Sequence, residues 1–383
     1  MQKAKAQFQI HATFRITGRG IVMAGRIEEG FINIGDELCF EFEGNYLKRT
    51  IIGIERIASL GNRFTIGLLV KCKDEAEIER LRNWSPNLQI CQIEPTNTNH
   101  YSKRTKMNSL ISSNFIKVED LNLHYLSAGE GEVILFLHGW PTSAYLWRNM
   151  MPTLAEKYRV IALDLPGFGK SDKHLEDSYS FKYYNRTIDG FLKNLGVEKV
   201  TLGLHDLGGP LGLYWAVQNM ERVNRLVLLN TLVYPDFSWG VKLFGLATMI
   251  PGLKSWITSP KGISKAMNFG VQKNELLTNE VIAEYQAPFQ GDTSRKVLLK
   301  SVQRLSVKGF HEIAEKLPSF NKPVQIIYGA KDRILPKVKD TMDRVKKDLP
   351  QAKVKIFEDC GHFLQEEVPE QIAQVLMEFM SEK

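Results

Sequence analysis

The stretch that decides the fold is Thr201-Leu-Gly-Leu-His-Asp-Leu-Gly-Gly209. A short apolar run ends at Asp206, and two glycines follow where a helix is expected to begin. This strand–turn–helix pattern is typical of a nucleophile elbow, and Asp206 stands at the nucleophile position. A carboxylate there attacks an alkyl carbon and forms an alkyl-enzyme ester. Asp206 therefore indicates cleavage of carbon–halogen or epoxide C–O bonds rather than ordinary ester hydrolysis.

Two further residues complete a candidate catalytic triad in the chain order nucleophile, acid, histidine. Asp332 follows the predicted strand 324–328, and His362 follows the alternating apolar run 354–357. In this interpretation, Asp206 displaces the leaving group and His362 takes a proton from the water that hydrolyses the ester. Asp332 orients His362 and stabilises its charged form. Each residue alone is more often structural, but the three together in this order predict catalysis.

The second half of the chain has the pattern of an α/β fold. Short apolar runs are bounded by Gly, Pro or Asp, with helical stretches between most of them, which is typical of buried parallel strands. We predict an α/β domain over 114–383, with a helical cap inserted at about 235–317 above the carboxyl ends of the strands. The apolar runs are 133–137, 160–163, 200–204, 226–229 and 324–328.

The first quarter of the chain has a different pattern. Residues 8 to about 95 alternate between apolar and polar positions in short runs, with turn signals at Gly18, Gly20, Gly30 and Gly35. Closely spaced strands and turns predict a small all-β barrel over 1–95. The polar stretch 96–113 is expected to be a linker between the two domains.

The segment 14–38 resembles the second domain of elongation factor Tu and related translational GTPases, most specifically at Thr17-Gly-Arg-Gly20. In that family the barrel packs against a GTPase domain, which is not present here. The phrases 164–167 and 169–171 imitate GTPase motifs, but Asp164 stands where a phosphate loop needs glycine. We therefore expect no nucleotide, and an accessory or oligomerisation module that can join copies of the chain into a homo-oligomer.

Most of the segment 115–383 resembles the haloalkane dehalogenases. This resemblance implies an α/β-hydrolase fold whose triad acid follows the later strand, as Asp332 does, because Asn230 after the preceding strand cannot supply a carboxylate. The phrases that carry the resemblance are His138-Gly-Trp-Pro-Thr-Ser-Ala-Tyr-Leu-Trp-Arg-Asn-Met-Met-Pro152, Asp164-Leu-Pro-Gly-Phe-Gly-Lys-Ser171, Tyr285-Gln-Ala-Pro-Phe289, Gly329-Ala-Lys-Asp332 and Gly361-His-Phe-Leu-Gln365.

The chain departs from that family at the residues that hold the halide. The family usually has Trp directly after the nucleophile, and here Leu207 stands there. The backbone N–H groups of Trp140 and Leu207 are expected to form the anion-stabilising hole. The indole of Trp140 either replaces the missing halide donor or lines the pocket wall. In the cap, Trp239, Trp256 and Tyr285 are candidate substrate-pocket residues.

Two other functions are open. The chain also resembles epoxide hydrolases, which need a cap tyrosine to protonate the epoxide oxygen, and Tyr285 is the candidate for that role. A non-catalytic binding or scaffold protein with a retained triad is the third possibility. Haloalkane dehalogenase-like hydrolysis of a small apolar organic substrate by water is the first prediction.

Composition narrows the partners. The net charge of +7 is spread along the chain, and only Lys103, Arg104 and Lys106 cluster, so nucleic-acid binding is not expected. The four cysteines form no C-x-x-C pair, which favours reduced thiols and a cytoplasmic location. No apolar run approaches the ~18 residues of a spanning helix, so no membrane contact is expected. No metal or cofactor is implied.

Overall fold

A computed structural model describes residues 6–16, 20–30, 32, 36–57, 65–94 and 111–382. The chain divides into two compact units, 1–109 and 110–383. Each unit has a hydrophobic core of its own. Most of the predicted linker, 96–110, lies outside the described residues, as does 17–19 of the Thr17-Gly-Arg-Gly20 phrase, and residues 112–113 begin a strand.

The first unit is a closed barrel of six antiparallel strands, in the order β1-β2-β5-β4-β3-β6. Alternating side chains such as Phe8, Ile10, Leu38 and Phe40 point into its core. The predicted all-β barrel is therefore confirmed. Its strands are β1 Ala6–Ile16, β2 Gly20–Gly30, β3 Glu37–Phe42, β4 Asn45–Ile57, β5 Thr65–Val70 and β6 Ile90–Glu94.

One helix of this unit, α1 (Glu75–Arg82), was not predicted from the sequence. It begins at Asp74, whose side chain accepts the backbone N–H of Glu77 at 2.8 Å. The Glu77 carboxylate in turn binds the guanidinium of Arg49, and both side chains are nearly buried. A charged residue thus takes a core-facing place on α1, which explains why the helix shows no clear apolar face in the sequence.

The second unit is built on an eight-stranded sheet in the order β14-β13-β12-β11-β9-β10-β8-β7. The first six strands in this order, from β14 to β10, are parallel, and β8 and β7 form the other edge in antiparallel pairing. The predicted α/β architecture is therefore confirmed, with the two antiparallel edge strands added. The strands are β7 Ser112–Val118, β8 Leu121–Ala128, β9 Val133–Leu137, β10 Arg159–Leu163, β11 Val200–Asp206, β12 Val223–Thr231, β13 Val324–Gly329 and β14 Lys353–Phe357.

Helices connect these strands, and the stretch between β12 and β13 contains six of them (α5 to α10), which cover most of the segment predicted as a cap. The helices are α2 Met151–Leu154, α3 Phe181–Asn194, α4 Gly208–Ala216, α5 Trp239–Ala247, α6 Pro251–Ile257, α7 Pro260–Gly270, α8 Asn279–Gln286, α9 Asp292–Gln303, α10 Val307–Lys316, α11 Val338–Asp348, α12 Leu364–Glu367 and α13 Pro369–Ser381. Short 3₁₀ turns lie at Ala144–Trp147, Met220–Arg222, Asn274–Leu276, Ala287–Phe289 and Leu317–Ser319.

Candidate active site

Asp206 is held in a strained backbone conformation at the junction of β11 and α4. Its φ of +48° lies in the left-handed region, which a non-glycine residue adopts at a cost of about 1–3 kcal/mol. Close backbone approach makes this turn possible. A Cβ on Gly139 would overlap the Asp206 side chain, and one on Gly208 would overlap the Leu137 carbonyl. The turn places the Asp206 carboxylate beyond the end of β11, at the carboxyl edge of the sheet.

The two oxygens of the Asp206 carboxylate have different surroundings. Oδ1 accepts the backbone N–H of Trp140 at 2.7 Å, and the backbone N–H of Leu207 also donates to this carboxylate. Oδ2 faces His362. Burial would raise the pKa of Asp206, but His362 and the N–H of Leu207 outweigh burial and lower it. Asp206 is therefore ionised at neutral pH, with Oδ1 bound by the Trp140 N–H and Oδ2 directed at the histidine.

His362 lies between two carboxylates and is fully buried. Its Nδ1 is 2.8 Å from Asp332 Oδ2, and its Nε2 is 3.4 Å from Asp206 Oδ2, a separation without hydrogen-bond geometry. Burial would lower the pKa of His362, but the charges of Asp332 and Asp206 raise it to about 10. The histidine is therefore held as a cation while both carboxylates are charged.

Asp332 is fixed from three directions. Its Oδ1 accepts the backbone N–H groups of Ile334 and Leu335, each at 2.8 Å. Its Oδ2 accepts the side-chain N–H of Asn230 at 2.7 Å. Asn230 also takes positive φ, and its Oδ1 accepts the backbone N–H of Gly329. The sequence excluded Asn230 as a triad acid but did not reveal that its amide orients the acid.

The backbone around His362 is anchored by hydrogen bonds to several other elements. The His362 N–H donates to the Gly270 carbonyl at 2.6 Å, and Glu367 accepts the N–H of Gly361 at 2.6 Å. His205 Nε2 lies 3.0 Å from the His362 carbonyl. Burial first, and then the nearby His362, lower the pKa of His205 to about 3, so it is neutral and donates through Nε2. Nothing in the sequence indicates that Glu367, five residues after His362, binds the backbone N–H of Gly361.

His138 supports the loop beneath Trp140. Its Nε2 accepts the backbone N–H of Leu165 at 3.1 Å, so its proton is on Nδ1, which donates to the Gly139 carbonyl at 2.9 Å. Burial lowers the pKa of His138. Both ring nitrogens are engaged in fixing the loop that supplies the Trp140 N–H.

The side of the site expected to receive the leaving group is apolar. Leu207 is buried and offers only methyl groups. The indole N–H of Trp140 donates to the Leu298 carbonyl on α9 at 3.2 Å, and its ring packs edge-on against Phe244 of α5, with centroids 4.8 Å apart. The indole N–H is therefore already engaged by the cap.

The three cap candidates lie in different places. The Tyr285 hydroxyl is buried and donates to the Glu366 carboxylate, which also binds Arg148 at 2.6 and 2.8 Å. Trp239 and Trp256 are at the surface, 69% and 48% exposed. The structure thus brings together Asp206, Asp332, His362, Trp140 and the N–H of Leu207, and it places Tyr285 in an internal ion-pair cluster and the two tryptophans on the outside of the cap.

The part of the chain that the structure describes contains no group of three or more His, Cys, Asp or Glu side chains arranged to hold a metal ion. Nor does that part contain a helix both long and apolar enough to cross a membrane.

Comparison with known proteins agrees with this architecture. Uncharacterized hydrolase YugF of Bacillus subtilis is 32% identical over 261 residues, 67% of this chain and 92% of the relative. A cis-3-alkyl-4-alkyloxetan-2-one decarboxylase of Shewanella oneidensis is 29% identical over 287 residues, 70% of this chain and 88% of the relative. The crystal structure of the haloalkane dehalogenase DatA from Agrobacterium tumefaciens superposes with a TM-score of 0.59 at 26% identity, covering 71% of this chain and 96% of that one. Residues 132–369 match the family model for the alpha/beta hydrolase fold. The chain therefore belongs to the α/β-hydrolase fold family.

Proposed function

We propose that Asp206 is a nucleophile that attacks a saturated carbon and becomes an alkyl ester. The observation that carries this proposal is that the two carboxylate oxygens of Asp206 have different partners. The N–H of Trp140 binds Oδ1, while Oδ2 is the oxygen that faces His362. In a serine hydrolase the anion hole is kept for the carbonyl oxygen of the substrate. Here it holds an oxygen of the protein's own carboxylate, which is the carbonyl oxygen of the ester once Oδ2 has reacted.

In the first step Asp206 Oδ2 forms a bond to the substrate carbon, and the leaving group departs with its bonding electrons. Esterification removes the negative charge of Asp206. One of the two charges that raise the pKa of His362 is then gone, so that pKa falls and the imidazole can release its proton. Formation of the ester thus prepares the base for the second step.

In the second step His362 Nε2 takes a proton from water, and the hydroxide attacks Cγ of the Asp206 ester. Negative charge develops on Oδ1, which already accepts the Trp140 N–H, and the Leu207 N–H donates to the same carboxyl group. His362 returns this proton to the departing substrate oxygen, so collapse of the intermediate releases the alcohol and restores the carboxylate. Asp332 holds the His362 ring and balances its positive charge throughout.

Isotope labelling tests this mechanism. In ¹⁸O-water under single-turnover conditions, we expect ¹⁸O in the peptide that contains Asp206, because water attacks the ester at Cγ. In His362→Gln the ester should accumulate and add the alkyl mass to the same peptide, and Asp206→Asn should show neither label nor adduct. Label found only in the product alcohol, with the Asp206 peptide unlabelled, would contradict the proposal.

Hydrolysis of a carbon–halogen bond is the first substrate class that we propose. The triad supports the attack, and the resemblance to haloalkane dehalogenases favours it. The departing halide, however, meets the aliphatic side chain of Leu207, and the indole N–H of Trp140 is bonded to Leu298. Loss of one leaving-group donor costs roughly 3 kcal/mol, or about two orders of magnitude in rate. We therefore expect slow turnover of haloalkanes.

A second candidate substrate is a four-membered lactone, which the apolar leaving-group side favours. When Asp206 Oδ2 attacks the saturated ring carbon bonded to the ring oxygen, that C–O bond breaks and the oxygen leaves as part of a carboxylate on the same molecule. Opening the four-membered ring releases its strain, which assists departure of that carboxylate in place of a leaving-group donor. Water and His362 then give the β-hydroxy acid, or loss of CO₂ expels Asp206 and gives the alkene. The relative from Shewanella oneidensis is named for such a lactone.

A three-substrate panel separates these classes. A 1-bromoalkane would release bromide, a terminal epoxide would give a diol, and a 3,4-dialkyl-oxetan-2-one would give CO₂ and alkene or the hydroxy acid. Bromide release faster than lactone opening would support the first class, and the reverse order would support the second; Asp206→Asn should abolish both reactions. Faster bromide release than lactone opening would contradict the lactone candidate. Epoxide opening has Tyr285 as its predicted acid, whose hydroxyl is bonded to Glu366.

A further inference from the structure

The segment 239–256 carries many exposed apolar side chains. Within 239–256, which covers α5, α6 and the turn between them, seven large apolar residues are exposed, from Leu253 at 38% to Met249 at 71%. Folded proteins seldom leave so many neighbouring apolar residues in water without a partner. We call this set the cap patch; its members are Trp239, Leu243, Leu246, Met249, Ile250, Leu253 and Trp256.

The cap patch follows one side of its segment. On α5, Trp239, Leu243 and Leu246 recur at intervals of four and three residues, the spacing of a single helical face. On α6, Leu253 and Trp256 lie three residues apart. On α5, Phe244 contacts Trp140 beside the active site. The segment therefore has an inner side that closes over Trp140 and an outer side that presents apolar groups to the surroundings.

The charge of the surrounding segment has one sign. Residues 237–274 contain five lysines and no aspartate or glutamate. Lys242 lies within the helix that carries the patch, and Lys261 and Lys265 are exposed on the neighbouring α7. The lysines are Lys242, Lys254, Lys261, Lys265 and Lys273. A basic segment around apolar residues with two exposed tryptophans has the composition of helices that lie in the headgroup region of a bilayer.

We propose that the cap patch docks the protein on an anionic lipid surface, with the apolar side chains entering the headgroup region and the lysines contacting lipid phosphates. Charge complementarity favours this occupant over a second copy of the chain, because 239–256 contains Lys242 and Lys254 and no carboxylate, so pairing two cap patches would bring like charges of both copies together. Docking of this kind is peripheral and needs no spanning helix. It differs from the sequence-based expectation of no membrane contact, and it is independent of the reaction at Asp206.

Vesicle sedimentation with the full chain tests the proposal. We expect the protein to sediment with vesicles of phosphatidylcholine and phosphatidylglycerol, to bind pure phosphatidylcholine vesicles at least ~10-fold more weakly, and to be released by 0.5 M salt. The expected differences arise because each lysine near an anionic surface raises the vesicle partition coefficient by roughly 5-fold. A blue shift of tryptophan emission should accompany binding, because Trp239 and Trp256 leave water.

Matched variants separate the patch from a general surface effect. Leu246→Glu/Met249→Glu and Lys242→Glu/Lys261→Glu should each lower the vesicle partition coefficient at least ~10-fold. Phe115→Glu, an exposed aromatic on β7, should leave it unchanged. The proposal is overturned if the full chain stays in the supernatant with anionic vesicles, or if Leu246→Glu/Met249→Glu binds as well as the parent. It is overturned equally if the parent is a dimer that this variant dissociates, because a second copy would then be the occupant.

Discussion

Asp206 and His362 form an electrostatic pair whose state depends on the reaction. The pKa of His362 is raised to about 10, against the effect of burial, because Asp332 and Asp206 are both negative beside it. In the proposed mechanism the charge of Asp332 is permanent, while that of Asp206 disappears in the alkyl ester. The two carboxylates therefore have separable effects on one imidazole, and variants at Asp206 can isolate the effect of its charge.

We predict that Asp206→Asn lowers the pKa of His362 below its parent value of about 10. Removing a negative charge next to a cation destabilises the charged form, so the imidazole loses its proton at lower pH. Titration of the His362 ring by NMR measures this shift. Asp359→Asn is the control, since Asp359 is exposed and pairs with Lys331 instead. An unchanged His362 titration in Asp206→Asn would mean that the nucleophile does not share the charge balance of the histidine.

At the level of elements, the glycine at the start of α4 is required by the approach of β9. A Cβ at Gly208 would overlap the Leu137 carbonyl, a backbone atom that cannot move aside. Gly245 within α5 has nothing within 4 Å of such a Cβ. Gly208 therefore has no room for a larger side chain, whereas Gly245 does.

We expect Gly208→Ala to destabilise the second unit by about 1–3 kcal/mol and to displace Asp206, with a loss of activity. Gly245→Ala should stabilise it by roughly 0.5–1 kcal/mol, because alanine replaces glycine in an exposed helix without a clash. Denaturant unfolding of the two variants measures both changes. Equal effects of the two substitutions would contradict the close approach of β9 and α4.

A buried ion pair connects the cap to the rest of the second unit. Arg148 follows the turn Ala144–Trp147, Glu366 lies on α12, and Tyr285 on α8 donates to Glu366. Burial alone would lower the pKa of Arg148, but the charge of Glu366 raises it. Arg148 also lies over the Tyr145 ring, 3.8 Å from its centroid. Three elements distant in sequence thus meet at one carboxylate.

We predict that Glu366→Gln lowers the free energy of unfolding by about 3–5 kcal/mol, because it leaves the buried Arg148 charge without its partner. Tyr285→Phe should cost less, about 1–3 kcal/mol, since it removes one hydrogen bond to a charged group. Equilibrium unfolding measures both. Asp343→Asn, which breaks the exposed Lys339–Asp343 pair, should change the stability by less than about 1 kcal/mol. A Glu366→Gln effect as small as that control would contradict a stabilising role for the pair.

The elements that the sequence reveals are those with a strong local pattern. The runs at β9, β10 and β11 are apolar on both faces because helices cover both sides of the sheet, so they stand out. Chain order then identifies Asp206, Asp332 and His362 together. Helix α1 is not predicted from the sequence because Glu77, a charged residue, takes a core-facing position and so interrupts the apolar pattern.

The direction of side chains and their partners far away in the chain cannot be predicted from the sequence, for a different reason. The sequence assigns Tyr285 to the cap, but its hydroxyl partner Glu366 lies 81 residues away. The amide of Asn230 orients Asp332 only because β12 and β13 lie side by side. The sequence also contains Trp239 and Trp256 as candidate pocket residues, whereas helix orientation turns them outward. These facts depend on packing between elements rather than on any local run of residues.

For the whole molecule, the two units have separate cores that one pair of substitutions can distinguish. Phe40 packs on Trp84 in the barrel, and Phe136 packs on Trp147 in the sheet unit, each phenylalanine being almost fully buried. We predict two unfolding transitions by calorimetry. Phe40→Ala should lower only one transition and Phe136→Ala only the other, each by about 3–5 kcal/mol of its unit's stability, because each leaves a cavity in one core. Trp84 is the one tryptophan in 1–109, so its fluorescence should follow the transition that Phe40→Ala lowers. A single transition shifted equally by both variants would instead mean that the barrel and the hydrolase unit unfold as one cooperative body.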